Sequence, residues 1–425
     1  MRGMYQKSGC SMFAALLVLS VQPGMTQGAQ TPDNGGSPTW SKFGGPDWVP
    51  NQLARDAETK ESVTGVSLLQ DYFDWKDRLR EDHGISYTFD YTSGLLYPSE
   101  TLGTEDLFSS GVVRFIGIWD LIGRDSGNTG TFVFKGEHRH RYTDIPVSGT
   151  AQEIGYAGLI LPTMSDIGYR LSMLGWDQKL REGRIEVYLG FLDLTEFVDA
   201  YPLASPWTGF YNFSLANGSA AIPWPDDGTL GAYLSGMITE NLYITAGLAD
   251  NGSDSTDPFK DFDSFFNDNE YFSSVELGLT SSKENYFLDN THVTLWHTDE
   301  REEAGVSDGW GAAFSFSRFF GENWIPFLRA AYTDDGGSLL QKTVNTGFGY
   351  KLEKSQLGVG FIWGQPNEDT FGAELSDQYA TEFFCRLQLT QNIELTPDIQ
   401  LIFDPAFNPE ADEVWVFGLR TRVAF

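Results

Sequence analysis

Val414-Trp415-Val416-Phe417-Gly418-Leu419-Arg420-Thr421-Arg422-Val423-Ala424-Phe425 closes the chain, and its alternation decides how the rest is read. If the segment is a strand, Trp415, Phe417, Leu419, Thr421, Val423 and Phe425 share one face, because successive strand side chains point to opposite sides. Arg420 and Arg422 then lie on the other face. A wall with lipid on one side and water on the other needs such a strand.

The same period of two recurs upstream. Ile85, Tyr87, Phe89 and Tyr91 alternate with Ser86, Thr88, Asp90 and Thr92, and Val113, Phe115, Gly117 and Trp119 follow in the same manner. Further rows are Ile185 to Phe191, Leu242 to Leu248, Val275 to Leu279, Leu357 to Trp363, Phe383 to Leu389 and Ile393 to Leu401. Short segments of alternating hydrophobicity are the signature of transmembrane barrel strands. The connections alternate too. Long ones at 404–413, 364–380, 334–342, 298–309 and 250–270 are separated by short ones at 390–392, 351–355, 320–323 and 239–241, with an intermediate one at 281–290. That places eleven strands between Leu230 and Phe425. Six more candidates lie near 85–92, 112–121, 131–142, 153–161, 167–178 and 184–193. Seventeen strands would leave the chain ends on opposite sides, whereas single-chain bacterial barrels have an even number. The stretch 153–161 hardly alternates and is assigned to a loop. The expectation is an all-β, closed antiparallel barrel of sixteen strands over 85–425, with both chain ends periplasmic and 194–229 as a long outer connection.

Residues 1–28 read as a signal peptide: Arg2 and Lys7 precede the apolar run Met12–Val21, which is too short to span a bilayer, and small residues follow at Thr26–Ala29. Residues 29–64, rich in glycine, proline and charge, read as a flexible N-terminal segment. Over 65–84, Leu68, Leu69, Tyr72, Phe73, Trp75 and Leu79 recur at helical spacing and predict one amphipathic helix. Cys10 belongs to the signal, so Cys385 is the remaining cysteine and a disulfide within the mature chain is excluded. The formal charge of −31 argues against nucleic acid as a partner. A mean hydropathy of −0.27 is compatible with a membrane when strands alternate.

Three stretches resemble the carbohydrate-selective porin family of Gram-negative bacteria: LLQDYFDWKDRLREDHGISYTFDY at 68–91, GRIEVYLGFLDLTEFVDAYP at 183–202, and the closing pair LTPDIQLIFDPAFNP with VWVFGLRTRVAF. The resemblance runs over most of the mature chain. It implies a sixteen-stranded outer-membrane barrel that admits glucose and other sugars. The terminal aromatic after alternating apolar residues looks like the signal read by the barrel-assembly machinery, a partner alongside outer-membrane lipid.

If the apolar set faces lipid, the alternate set lines a lumen. That parity sends Arg114, Lys135, Glu137, Arg139, Arg170, Arg184, Glu186, Tyr188, Glu276, Trp296, Arg329, Glu382, Arg386, Arg420 and Arg422 inward. Arginine donors meet sugar hydroxyls and aromatic faces pack on sugar C–H surfaces, so Arg114, Lys135, Glu137, Arg139, Arg170, Glu186, Trp296, Arg329, Glu382 and Arg386 are candidate pore-lining, substrate-binding residues. The alternative role for each is to brace the wall. The connection after Leu192 is too long for an ordinary loop. Folding inward as a constriction loop is the preferred reading, with Asp199, Trp207, Asn212 and Trp224 as its candidates.

Other motifs carry less. Gly305-Val306-Ser307-Asp308-Gly309 matches a hydrolase pattern but sits in a loop, where the required strand-to-helix turn is missing. His138 and His140 have no evident third ligand, and the acidic stretch 254–270 lacks calcium-loop spacing. Catalytic residues, metals and cofactors are therefore not expected. The function implied is a porin for passive diffusion of small hydrophilic solutes, monosaccharides or other carbohydrates; the alternatives are a general or anion-preferring porin, or an outer-membrane barrel enzyme. Nothing in the sequence sets an oligomeric state.

Overall fold

The computed structural model describes residues 43–66, 69–124, 126–282 and 286–425. Among them, sixteen antiparallel strands close into one barrel, each hydrogen-bonded to its neighbours in sequence and β1 to β16. They are β1 Ile85–Pro98, β2 Phe108–Ile122, β3 Gly130–Arg141, β4 Gly168–Leu180, β5 Ile185–Leu192, β6 Thr229–Met237, β7 Leu242–Asp250 and β8 Tyr271–Thr280. The second half comprises β9 Asn290–Thr298, β10 Gly309–Ser317, β11 Trp324–Asp335, β12 Leu340–Lys351, β13 Ser355–Pro366, β14 Gln378–Gln388, β15 Ile393–Phe403 and β16 Glu413–Ala424. The seam pairs Asp90 with Ala424 and Leu95 with Leu419. Residues 153–161 contribute no strand, as the even count requires. Instead, a helical turn at Thr150–Glu153 leads to Ile160, which forms a lone bridge to Asn212.

Burial alternates along the strands with the period seen in the sequence. Val275, Leu277 and Leu279 of β8 are exposed while Ser274, Glu276 and Gly278 are buried. Apolar side chains thus face outward, toward lipid, and polar ones inward, the reverse of a soluble sheet. Phe383 is exposed on the outer row of β14, which also carries Cys385.

The interior is filled by chain. The connection 193–228 leaves β5 and returns to β6, yet it is hydrogen-bonded to inward side chains of β11, β12, β14 and β16 on the far wall. It must therefore cross the lumen. The connection 142–167 places Val147, Ile154, Tyr156, Ile160 and Met164 against Leu96, Phe108 and Val112 of the wall. Irregular backbone at membrane depth is tolerable because it is enclosed by protein, which supplies partners for its N–H and C=O groups.

Within the N-terminal segment, residues 43–57 differ from the sequence expectation, and 29–42 lie outside the described residues. Where 29–64 reads as flexible, residues 43–57 are packed: Trp48, Val49 and Leu53 join Tyr188, Phe197 and Tyr233 in a buried cluster, and α1 spans Val49–Ala57 with proline in its first turn. Gly44-Gly45-Pro46 is a tight bend rather than a loose tether. Gly44 takes φ +84°, and a Cβ there would meet the Trp48 ring at 2.7 Å. Glycine counts alone do not separate a bend under an aromatic ring from a linker. The second helix, α2, spans Gln70–His83 and ends at Gly84 in the left-handed conformation. Leu68 of the amphipathic pattern, and the whole of the signal-peptide reading, lie outside the described residues. At the barrel rim, the Tyr72 and Tyr87 hydroxyls lie 3.2 Å apart and Trp119 Nε1 donates to His83 O.

Candidate functional site

Inward parity places the candidate residues in the lumen, where they divide by what meets them. Along β3 and β4 runs a ladder of ion pairs. Lys135 Nζ meets Glu196 and lies 3.6 Å from Asp193; Arg139 pairs with Glu137 at 2.7 Å and with Asp227 at 2.6 Å; Arg170 pairs with Asp227 and, at 2.8 Å, with Asp226. The four acids other than Glu137 belong to the inserted connection, so wall cations and loop carboxylates meet in direct ion pairs. Asp226 and Asp227 keep about 33% and 24% of their side-chain surface open to water. Trp224 is half-buried beside them, donating from Nε1 to Asn217 O, with its ring centroid 5.6 Å from that of Phe272. Gly218, at φ +75°, admits that indole, since a Cβ would lie 2.5 Å from Trp224 Nε1.

On the opposite wall the candidates hold the connection in place. Glu382 accepts from the backbone N–H of Tyr211 and, at 2.9 Å, of Asn212. Arg329 donates to Ala216 O at 2.6 Å and pairs with Asp199. Asp199 also accepts from Gly218 N at 2.6 Å and lies 2.9 Å from His292 Nε2. It does so at φ +55°, a left-handed conformation that aspartate tolerates better than most residues. Arg420 donates to Pro206 O at 2.6 Å and Gly209 O at 2.9 Å while lying over the Tyr211 ring. Arg114 is fully buried, paired with Asp90 and stacked 3.7 Å above the Trp207 ring centroid. These side chains anchor protein and expose almost no surface to a passing solute.

Other candidates fall between these groups. Trp296 stacks on Phe272 and is nearly buried; Glu186 is buried beside Ser235 of β6; Arg386 is half-buried and donates to Gln356 at 2.6 Å. Arg184 does not reach the lumen. It stands in the turn before β5, partly exposed, 2.6 Å from Glu240. Asp90 and His292 are absent from the sequence candidates, although inward parity applied to β1 and β9 finds both.

A closed sixteen-stranded barrel with a polar interior crossed by a long inserted loop defines a porin. The comparisons carry this to a family. Residues 135–425 match the carbohydrate-selective porin, OprB family, and the chain belongs to that family. Pseudomonas putida OprB in its high-pH structure is similar at 14% identity and a TM-score of 0.64, over 87% of this chain and 99% of that one. Its low-pH structure gives 12% identity and a TM-score of 0.51, over 87% and 100%. A triple mutant of Rhodopseudomonas blastica porin gives 13% and 0.50, over 80% and 100%. At such identities the structures establish the fold alone. No curated protein matches this sequence. The chain is an outer-membrane channel protein of the carbohydrate-selective class, not an enzyme.

Proposed function

We propose that small sugars pass through this barrel along the ladder formed by Lys135, Glu137, Arg139 and Arg170 with Asp193, Asp226 and Asp227, the half-buried Trp224 offering an apolar face. The observation that carries the reading is the contrast within one lumen. Asp226 and Asp227 stay open to water beside paired arginines, while Arg114, Arg329 and Glu382 are sealed against the inserted connection. Asp226 and Asp227, held in place by the buried Arg139 and Arg170, offer carboxylate acceptors to hydroxyls, and weak contacts of this kind let a solute leave. Monosaccharides fit a route of this polarity. The turn-bearing mouth, which holds Phe425 and the start of β1, is the periplasmic one in this reading. The C-terminal aromatic row serves assembly-machinery recognition, and residues 1–28 serve export.

Reconstitution into planar bilayers tests the proposal. Replacing Arg139 and Arg170 with alanine weakens glucose block of the ionic current and shifts ion preference toward cations, because two positive charges leave the path while the aspartates stay. If block and ion preference both survive, these arginines brace the wall and the sugar route lies elsewhere.

A further inference from the structure

A cavity of about 280 Å³ lies at the mouth that holds the chain terminus, between α1, α2 and the start of β1. This is the size of a small-ligand pocket. Its lining mixes hydroxyls and amides (Thr59, Ser86, Gln70) with Phe73, Tyr87 and the ammonium of Lys76.

The carboxylates around it are taken by other cations, and Arg55 of α1 points away, donating to Pro46 O. Arg80 pairs with Asp77 at 3.2 Å. Asp56 is taken by Arg422 at 2.7 Å, Glu394 by Lys60 at 3.1 Å, and Asp90 by Arg114 and Arg422. Lys76 has no carboxylate within ion-pair distance among the described residues. Its Nζ sits 5.0 Å from the Tyr87 ring centroid and 5.6 Å from those of Tyr72 and Phe73. Aromatic faces attract a cation but do not neutralise it, so one positive charge remains beside a hydroxyl-lined cavity.

The geometry points to a binding site for a small hydroxylated carboxylate, a sugar acid, whose carboxylate meets Lys76 and whose hydroxyls meet Thr59, Ser86 and Gln70. The site is separate from the ladder in the lumen and from the solute route proposed above. Burial holds the Lys76 ammonium down at about 8, with Asp56 and Asp77 opposing that shift. The groups facing it are Asp56 from α1, Asp77, Arg80 and Tyr72 from α2, and Tyr87 from β1. A lysine is charged below its pKa, so affinity for an anion falls as pH rises through about 8, over a range where a carboxylate stays ionised.

Calorimetric titration of the detergent-solubilised full mature chain with gluconate tests this, with glucose and acetate as comparison ligands. Gluconate binding at pH 7 should weaken roughly tenfold in Lys76→Met, as expected for loss of one charge-assisted contact. It should persist in Lys76→Arg and decline between pH 7 and pH 9 in the unaltered protein. Glucose and acetate should each bind more weakly than gluconate. Retention of the heat-modifiable barrel band on gels verifies folding of both variants. Gluconate binding unchanged by Lys76→Met, or equal binding of glucose, overturns the proposal. Equal binding of acetate also overturns it, by reducing the site to a simple anion trap. Glucose block of current in the same Lys76→Met protein should be unaltered, which keeps this result distinct from a failure of the sugar route.

Discussion

Of the stretches of chain that enter the barrel, 193–228 and 43–60 are held by different chemistry. The connection 193–228 is fixed by wall side chains that grip its backbone: Glu382 on two N–H groups, and Arg329, Arg420 and Thr333 on carbonyls of Ala216, Gly209 and Ala221. The segment 43–60 makes its own helix and is held at its ends. Arg422 takes Asp56 in two bonds of 2.9 and 2.7 Å, Lys60 reaches Glu394, and Trp48 packs at 5.6 Å from Tyr188. Irregular backbone inside the membrane needs partners along its length, whereas a helix needs them mainly at its ends. The barrel wall is therefore specialised around the loop and merely accommodates the N-terminal segment.

The largest expected effect follows from removing a backbone partner of the loop. Glu382→Ala leaves the N–H groups of Tyr211 and Asn212 buried without an acceptor, at about 1–3 kcal/mol each. Single-channel conductance should rise and become noisy as the loop loosens. Conductance indistinguishable from the unaltered protein would remove the claim that this wall positions the loop. A smaller effect is expected at the other insert. Asp56→Asn deletes a charge-assisted pair worth about 2 kcal/mol, so hydrogen exchange over 43–60 should quicken while 193–228 stays protected. Simultaneous loosening of both would show that the inserts form one unit, joined where Gly45 N donates to Glu196 O and Ser205 Oγ to Asp47 Oδ1.

The smallest effect belongs to a region outside both inserts. Asp261 in the connection 251–270 is buried, accepts from Asp254 N at 3.0 Å, and is raised by burial to about 6. A carboxyl whose pKa is higher folded than unfolded favours the folded loop when protonated, and that contribution fades as pH rises from about 4 to 6. Protection of 254–264 relative to the intrinsic exchange rate at each pH should therefore fall between pH 5 and pH 7.5, by the equivalent of on the order of 1 kcal/mol. A flat profile would place Asp261 in water.

What the sequence made legible follows from the same physics. Lipid enforces period two, so the rows around Phe417 and Leu277 and the rejection of 153–161 were readable. Even parity, combined with loop lengths, sufficed for the strand number. The inward direction of Arg329, Glu382 and Arg114 was readable for the same reason. What each would touch was not, because the partners Ala216, Asn212 and Trp207 lie more than a hundred, 170 and about ninety residues away, in a segment without periodicity. Residues 43–57 differ from the reading because Gly44-Gly45-Pro46 carries the composition of a tether. Only the contact with Trp48 reveals a bend.

The β1–β16 seam has a consequence for biogenesis. Phe89 N–H donates to the carbonyl of Phe425, and Phe425 N–H to that of Phe89, so the first strand finds its partner in the last residue of the chain. Closure joins strand positions more than three hundred residues apart, at a large cost in loop-closure entropy. Until β16 pairs with it, β1 presents an unpaired edge, which recruits any strand it meets. A chain without β16 is thus an open sheet prone to self-association, and its loss should be felt as failed assembly rather than as a slightly weaker barrel.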